Sequence, residues 1–228
     1  MSDVTFAVAE GELVGVMGPN GSGKTTLLNL IAGALRPDAG AIRLSDRNLA
    51  GCAPHRVCAE GIARTFQLVR PFAGLSALDN VRVGRLYGRA RGEVRAAAAE
   101  AERLLTLVGL EGKAHRLPAQ LTLIDNKRLE LARALATSPR LLLLDEFMAG
   151  LNPAETESAM ALIRRIQDEG VTLLMVEHIV WALLDLSRRL IVLSAGEKIA
   201  DGPPDAVAAD PLVIEVYLGD TRGSARRA

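Results

Sequence analysis

Residues Gly18 to Thr25 read GPNGSGKT, the full G-x-x-x-x-G-K-[ST] spacing of a phosphate-binding loop. The loop stands between an apolar run, Glu12 to Met17, and an amphipathic run, Thr25 to Leu35. Strand before and helix after is the context this motif requires, because the helix N-terminus then faces a bound anion with its positive end. Glycines at 18, 21 and 23 let backbone N–H groups turn toward phosphate oxygens, where a side chain would crowd the ligand. Lys24 supplies a mobile charge for the β- and γ-phosphates, and Thr25 a hydroxyl for Mg²⁺. With Pro19, Asn20, Ser22 and Thr26, which fill the loop and the first helical turn, these residues form the candidate nucleotide-binding set.

The rest of the chain reads as an α/β fold. Leu141 to Asp145 and Val171 to Glu177 are unbroken apolar runs with polar ends, the pattern of parallel strands buried on both faces. Ala41 to Leu44 reads as a short strand, while Gly51, Pro54 and Gly61 leave Asn48 to Ala63 undecided. From Pro71 to about Pro139 the periodicity is helical, over Leu75 to Leu86, Glu93 to Val108 with Gly109 as a stop, and Asp125 to Ala136. Asn152, Pro153 and Glu155 predict a capped helix start, with Gly170 at its end. Arg189 to Ala200 reads as a hairpin, Pro211 to Leu218 as a closing helix and Arg222 to Ala228 as a frayed tail.

Two carboxylates end the strand LLLLDE at 141 to 146, at the sheet edge where phosphate-loop enzymes do their chemistry. In that context Asp145 is a candidate for holding Mg²⁺ and Glu146 for general base toward an attacking water. His178 ends the next apolar strand and could reach the same edge to hydrogen-bond the γ-phosphate, but a lone histidine there is more often structural, and Gln67 alone reads as a surface glutamine. The chain of 228 residues suits one α/β domain with an insertion, and its net charge of 0 offers no general field for nucleic acid. No apolar stretch approaches the roughly 20 residues of a membrane span, and no leader precedes the fold, so a cytosolic location is expected. Cys52 and Cys58 lack metal-pair spacing and read as reduced small side chains. Arg82, Arg85, Arg89, Arg91 and Arg95 read as a solvated helical face, and Trp181 with Ile179, Leu183 and Leu184 as core. Asn126-Lys127 begins like the guanine-reading N-K-x-D motif, but position 129 is leucine.

Taken together the chain resembles the ATP-binding subunits of ABC transporters. The resemblance is carried by GPNGSGKT at 18 to 25, ARTFQ ending at Gln67, LTLIDNKRLELARAL at 121 to 135, LLLLDE at 141 to 146, AGLNP at 149 to 153 and VEH at 176 to 178. Within the family, residues 62 to 81 and the ending DPLVIEVYLG at 210 to 219 are similar to the branched-chain amino acid importers. The resemblance implies a single ATP-binding domain over 1–228, a P-loop core of mostly parallel sheet with small antiparallel additions, and a helical subdomain near 71–139. It implies ATP and Mg²⁺ as ligands and ATP hydrolysis as the reaction. Gln67 would then touch Mg²⁺ and the water, and His178 would be the switch residue. Two such subunits would pair head to tail, identical or related, beneath separate transmembrane permease subunits, with a solute-binding protein acting indirectly. The expected place is peripheral, on the cytoplasmic face of the membrane. The rival reading is a soluble ABC ATPase serving a cytosolic machine, and a second is a P-loop kinase.

Three departures from the family stand out. Its signature, usually L-S-x-G-Q, is here Leu121-Thr122-Leu123-Ile124-Asp125. Ile124 replaces a glycine, and a β-branched side chain there would hinder backbone approach to a phosphate or any positive φ. No early aromatic matches the family's adenine-stacking residue, since the placing of Phe6 in Val4 to Val8, which resembles the family's second strand, favours core packing. Phe147 stands where many relatives carry proline.

Overall fold

The computed structural model describes residues 1–89 and 94–224. Its centre is a six-stranded sheet of β1 (Leu13–Met17), β4 (Ile62–Arg64), β5 (Leu141–Asp145), β6 (Thr172–Val176), β7 (Arg189–Ser194) and β8 (Glu197–Gly202). The spatial order is β4-β5-β6-β1-β7-β8, with every pairing parallel except β7 with β8. A second, two-stranded antiparallel sheet joins β2 (Arg43–Leu44) to β3 (Arg47–Asn48).

The pleat sorts the strand residues into two cores. Leu13 and Met17 face one side of the sheet with Leu142, Leu144, Leu173 and Met175, whereas Val14 and Val16 face the other with Leu143, Leu174 and Val176. Neither side meets water, which is why these strands are written without polar alternation. Helix α1 (Lys24–Ile31), which follows the phosphate loop, and α2 (Pro54–Glu60) cover the second side through Leu27, Leu28, Ile31 and Val57.

The first side carries α3 (Ala77–Tyr87), α4 (Val94–Leu107), α5 (Leu123–Ala136), α6 (Pro153–Asp168) and α7 (Val180–Leu186). Helices α3, α4 and α5 pack on one another through Val81, Leu104, Leu105, Leu129 and Leu131. Each start is capped by a short polar side chain where one is available. Ser76 accepts from Asp79 N, Thr122 forms a capping box with Asp125, and Asn152 forms one with Glu155 ahead of Pro153. Two further helices, α8 (Pro204–Ala208) and α9 (Pro211–Ser224), close the chain.

Several expectations need correction. Val4 to Val8 is extended, with Val4, Phe6 and Val8 packed on the second core, but it has no ladder partner among the described residues and is not a strand. The strand is an expectation of the family resemblance, and packing of these side chains on the core does not by itself pair a backbone. Asn48 to Ala63 resolves into β3, α2 and β4, with Gly61 at φ +112 turning the chain between the last two. Trp181 is half exposed, because the inward spacing on α7 falls on Ala182, Leu183 and Leu186. Arg85 and Arg89 are not simply solvated: both bind Ser138, through its hydroxyl and its carbonyl. Arg91 and the side chain of Arg95 lie outside the described residues, as do 225–228 of the tail, while α9 runs past Leu218. Cys52 and Cys58 are free and half-buried.

Candidate nucleotide site

Four adjacent parallel strands deliver the sequence-predicted residues to one edge of the sheet. β1 leads into the phosphate loop, β4 into Gln67, β5 ends at Asp145 and β6 leads to His178. Parallel strands share their carboxyl ends, so residues spread over 160 positions of sequence meet here.

The loop glycines divide their work. Gly21 and Gly23 hold φ of +79 and +105, in the left-handed region that only glycine adopts freely. A Cβ at Gly21 would meet nothing within 4 Å, so the space there is open. At Gly18 the obstacle is the protein itself, because a Cβ would lie 2.1 Å from the Leu193 carbonyl oxygen on β7. Lys24 is buried and its Nζ donates to the carbonyls of Gly18 and Pro19 at 2.7 and 2.9 Å. Burial lowers the pKa of its ammonium, while Glu146 and Asp145 nearby oppose the shift.

Glu146 is held from two sides. His178 Nε2 lies 2.7 Å from Oε1, and Gln67 Nε2 donates to Oε2. The Glu146 backbone has φ +49, a strained value for a non-glycine residue. The Glu146 N–H is fixed to Val176 O at 2.9 Å. Asp145 is deeper and already paired: Arg64 donates to its Oδ2 at 2.7 Å and to Asn29 Oδ1 on α1 at 2.6 Å.

The family profile of ABC transporters matches residues 1–149. The chain belongs to that family. A second profile, that of the branched-chain amino acid ATP-binding cassette transporters, matches residues 197–222. Among similar proteins is the high-affinity branched-chain amino acid transport ATP-binding protein BraF of Pseudomonas aeruginosa, 36% identical over 96% of this chain and 92% of that protein. The lipopolysaccharide export system ATP-binding protein LptB of Acidithiobacillus ferridurans is also 36% identical, over 96% of this chain and 90% of its own. A crystal structure of the ADP conformation of an ATP-binding cassette superposes with TM-score 0.85 at 28% identity, covering 95% of this chain and 91% of that one. The fold is therefore the P-loop core of an ABC ATPase, and the activity is ATP hydrolysis.

The ABC signature segment differs from its expected form. Thr122 and Asp125 cap α5, and Asp125 is buried against Lys113 Nζ at 2.7 Å, which with Thr122 holds its carboxyl below the usual range despite burial. Asp125 is thus tied inward. Ile124 lies in the first turn of α5 and is not among the residues with positive φ, so the backbone half of the expectation falls and only side-chain bulk remains. Leu121 packs on the main core, while Leu123 is exposed and lines an open groove with Gln67, Leu68, Val69, Pro71, Pro118 and Asn126. Phe147 is buried in the main core.

Sequence reasoning assigned no role to Arg64, Lys127, Glu130 or Glu177, although Lys127 was noted beside Asn126. All but Arg64 are charged residues with under a tenth of their surface exposed, a state that needs partners from other elements and leaves no local pattern. Arg64 alone had a signal, its place two residues past the start of a buried strand.

Proposed function

We propose that this chain powers an ABC importer for branched-chain or other amino acids, as one of two ATP-binding subunits at the cytoplasmic face of a membrane. The observation that carries the catalytic part is the Glu146 carboxylate, fixed between Gln67 and His178 beside the buried Lys24. ATP would lay its phosphates against the Gly21 to Thr26 turn, with Lys24 turning from its own loop carbonyls to the β- and γ-phosphates. Glu146 accepts the proton of the attacking water, and His178 holds the carboxylate in line. In the present arrangement Gln67 occupies the second carboxylate oxygen, so the water takes the place of the glutamine amide.

The donors fit a magnesium ion. The Thr25 hydroxyl in the first turn of α1, the Asp145 carboxylate at the end of β5 and the Gln67 amide beyond β4 offer hard oxygen ligands, the class Mg²⁺ selects. When bound, it would neutralise phosphate charge during transfer.

No helix among the described residues is long and apolar enough to cross a membrane. The groove floored by Leu68, Pro71 and Leu123 beside Gln67 supports docking of a separate permease, since it couples an apolar contact surface to a residue touching the base. Helices α3 to α5, roughly residues 71–139, are proposed as the helical subdomain that presents the signature to a second subunit. The cargo is read from the branched-chain amino acid transporter profile in the tail and from similarity to BraF, and would be delivered by a solute-binding protein; LptB, equally identical, is named for lipopolysaccharide export.

The test is Glu146→Gln. It should bind ATP with unchanged affinity, hydrolyse at a rate lower by about 10²-fold or more, and accumulate as a closed dimer. Lys24→Ala should instead lose nucleotide binding. Normal hydrolysis by Glu146→Gln would refute the general-base role. ATPase of the purified native membrane complex, stimulated by a branched-chain amino acid and not by lipopolysaccharide, checks the cargo.

A further inference from the structure

Lys127 stands on α5, in the pair Asn126-Lys127 that leads nowhere as a guanine motif. It is 4% exposed, and the structure gives its ammonium one hydrogen-bond acceptor, the carbonyl oxygen of Glu146, at 3.4 Å. The same oxygen accepts from Ala149 N at 3.1 Å. Two buried carboxylates flank the lysine. Glu130, one turn along α5, accepts the Phe66 amide at 3.2 Å, and Glu177 accepts the Met148 amide at 2.7 Å. Both attract the ammonium, as does Glu146.

One helix face therefore reaches the loops that follow three strands. Phe66 immediately precedes Gln67, Met148 belongs to the turn that Glu146 opens, and Glu177 immediately precedes His178. An ordinary helix needs no buried lysine, and desolvating an ammonium is costly unless its site uses the charge. What stands before it is a peptide in a strained conformation, φ +49 at Glu146, which persists only where its surroundings hold it. Val176 holds the N–H; Lys127 and Ala149 hold the carbonyl.

We propose that Lys127 is a positioning residue for Glu146, clamping its peptide so that the carboxylate lies between Gln67 and His178. The proposal rests on the reading of Glu146 as general base and goes beyond it. It ties the helix opened by the signature residue Thr122 to the base of the same chain, so a shift of α5 displaces the carboxylate that activates water.

The experiment is steady-state phosphate release by the purified chain with MgATP, for Lys127→Met and Lys127→Arg, each with and without Glu146→Gln. Lys127→Met should lower kcat by about 10- to 100-fold, the cost of a misplacement near 1 Å, with KM within about twofold of the parent. Lys127→Arg, which keeps the charge and the donor, should recover most of the loss. On the Glu146→Gln background, Lys127→Met should change nothing further, because it acts through the missing base. A parental kcat for Lys127→Met overturns the proposal, as does an equal proportional loss on both backgrounds, which marks a merely structural role. If Lys127→Met yields no folded protein, Lys127→Gln carries the same comparison. Normal turnover by Glu146→Gln overturns the base assignment and this proposal together, whereas an inactive Glu146→Gln beside a fully active Lys127→Met overturns this proposal alone.

Discussion

Arg64→Met should destabilise the protein far more than a surface arginine would, and the structure sets the size of the effect. The Arg64–Asp145 pair spans 2.7 Å, with the two side chains 6% and 5% exposed. Methionine fills much of the same volume but leaves the buried Asp145 charge without its hydrogen-bonded partner. Removing one partner of a buried pair costs about 3–5 kcal/mol. Losing the 2.6 Å bond to Asn29 adds about 1 kcal/mol. The stacking of the guanidinium on the exposed Phe66 ring, 5.3 Å to the centroid, adds about 0.5 kcal/mol. The sum is about 4.5–6.5 kcal/mol, a large share of the roughly 5–15 kcal/mol that holds a domain folded. For a chain of this size it corresponds to a melting temperature lower by about 9–26 °C. Urea denaturation of the nucleotide-free protein measures it. Asp145→Asn in the same molecule removes the stranded charge, so the double variant should regain about 2 kcal/mol or more over Arg64→Met. A loss below about 1 kcal/mol, or a double variant as unstable as the two singles added together, refutes the reasoning.

Gly18→Ala should abolish nucleotide binding and cost about 2 kcal/mol or more by overpacking, since the new methyl would lie 2.1 Å from a backbone oxygen; ADP titration with a thermal melt checks both. Burial lifts the Glu130 carboxyl to about 7, and the unfolded chain titrates near 4.5, so the folded state binds the extra proton between those values. This group's contribution therefore falls as pH rises from about 4.5 to 7, and Glu130→Gln, which keeps an acceptor for Phe66 N, should gain stability relative to the parent across that window, read as the difference in melting temperature at pH 5 and pH 8. Ile124→Gly should cost about 1 kcal/mol of helix stability yet raise ATP turnover in the assembled transporter; an unchanged rate removes side-chain bulk as the reason for the altered signature.

The site was legible in the sequence where a single short segment carries both the chemistry and its geometry. GPNGSGKT specifies its own turn, because Gly21 and Gly23 are the residues that φ +79 and +105 demand. LLLLD specifies a strand buried on both faces with an acid at its end, and Asn152-Pro153-Ala154-Glu155 specifies its own cap. Gln67 and His178 were legible only through the family resemblance, since neither has a local pattern that separates it from a surface or structural residue.

From the sequence alone came the phosphate loop, the buried strands, the order of the helices and the membership of Asp145 and Glu146 in one edge of one sheet. These follow from local sterics and from hydrophobic period, which act over a few residues at a time. Tertiary structure alone decided that Val4 to Val8 finds no ladder partner among the described residues, that Trp181 faces outward, that Asp125 is spent on Lys113, that Arg64 pairs with Asp145, and that Lys127 meets the Glu146 carbonyl. Each of those depends on a neighbour distant in the chain. A buried charge is decided by what opposes it in space, and sequence carries no record of that until the strands are laid side by side.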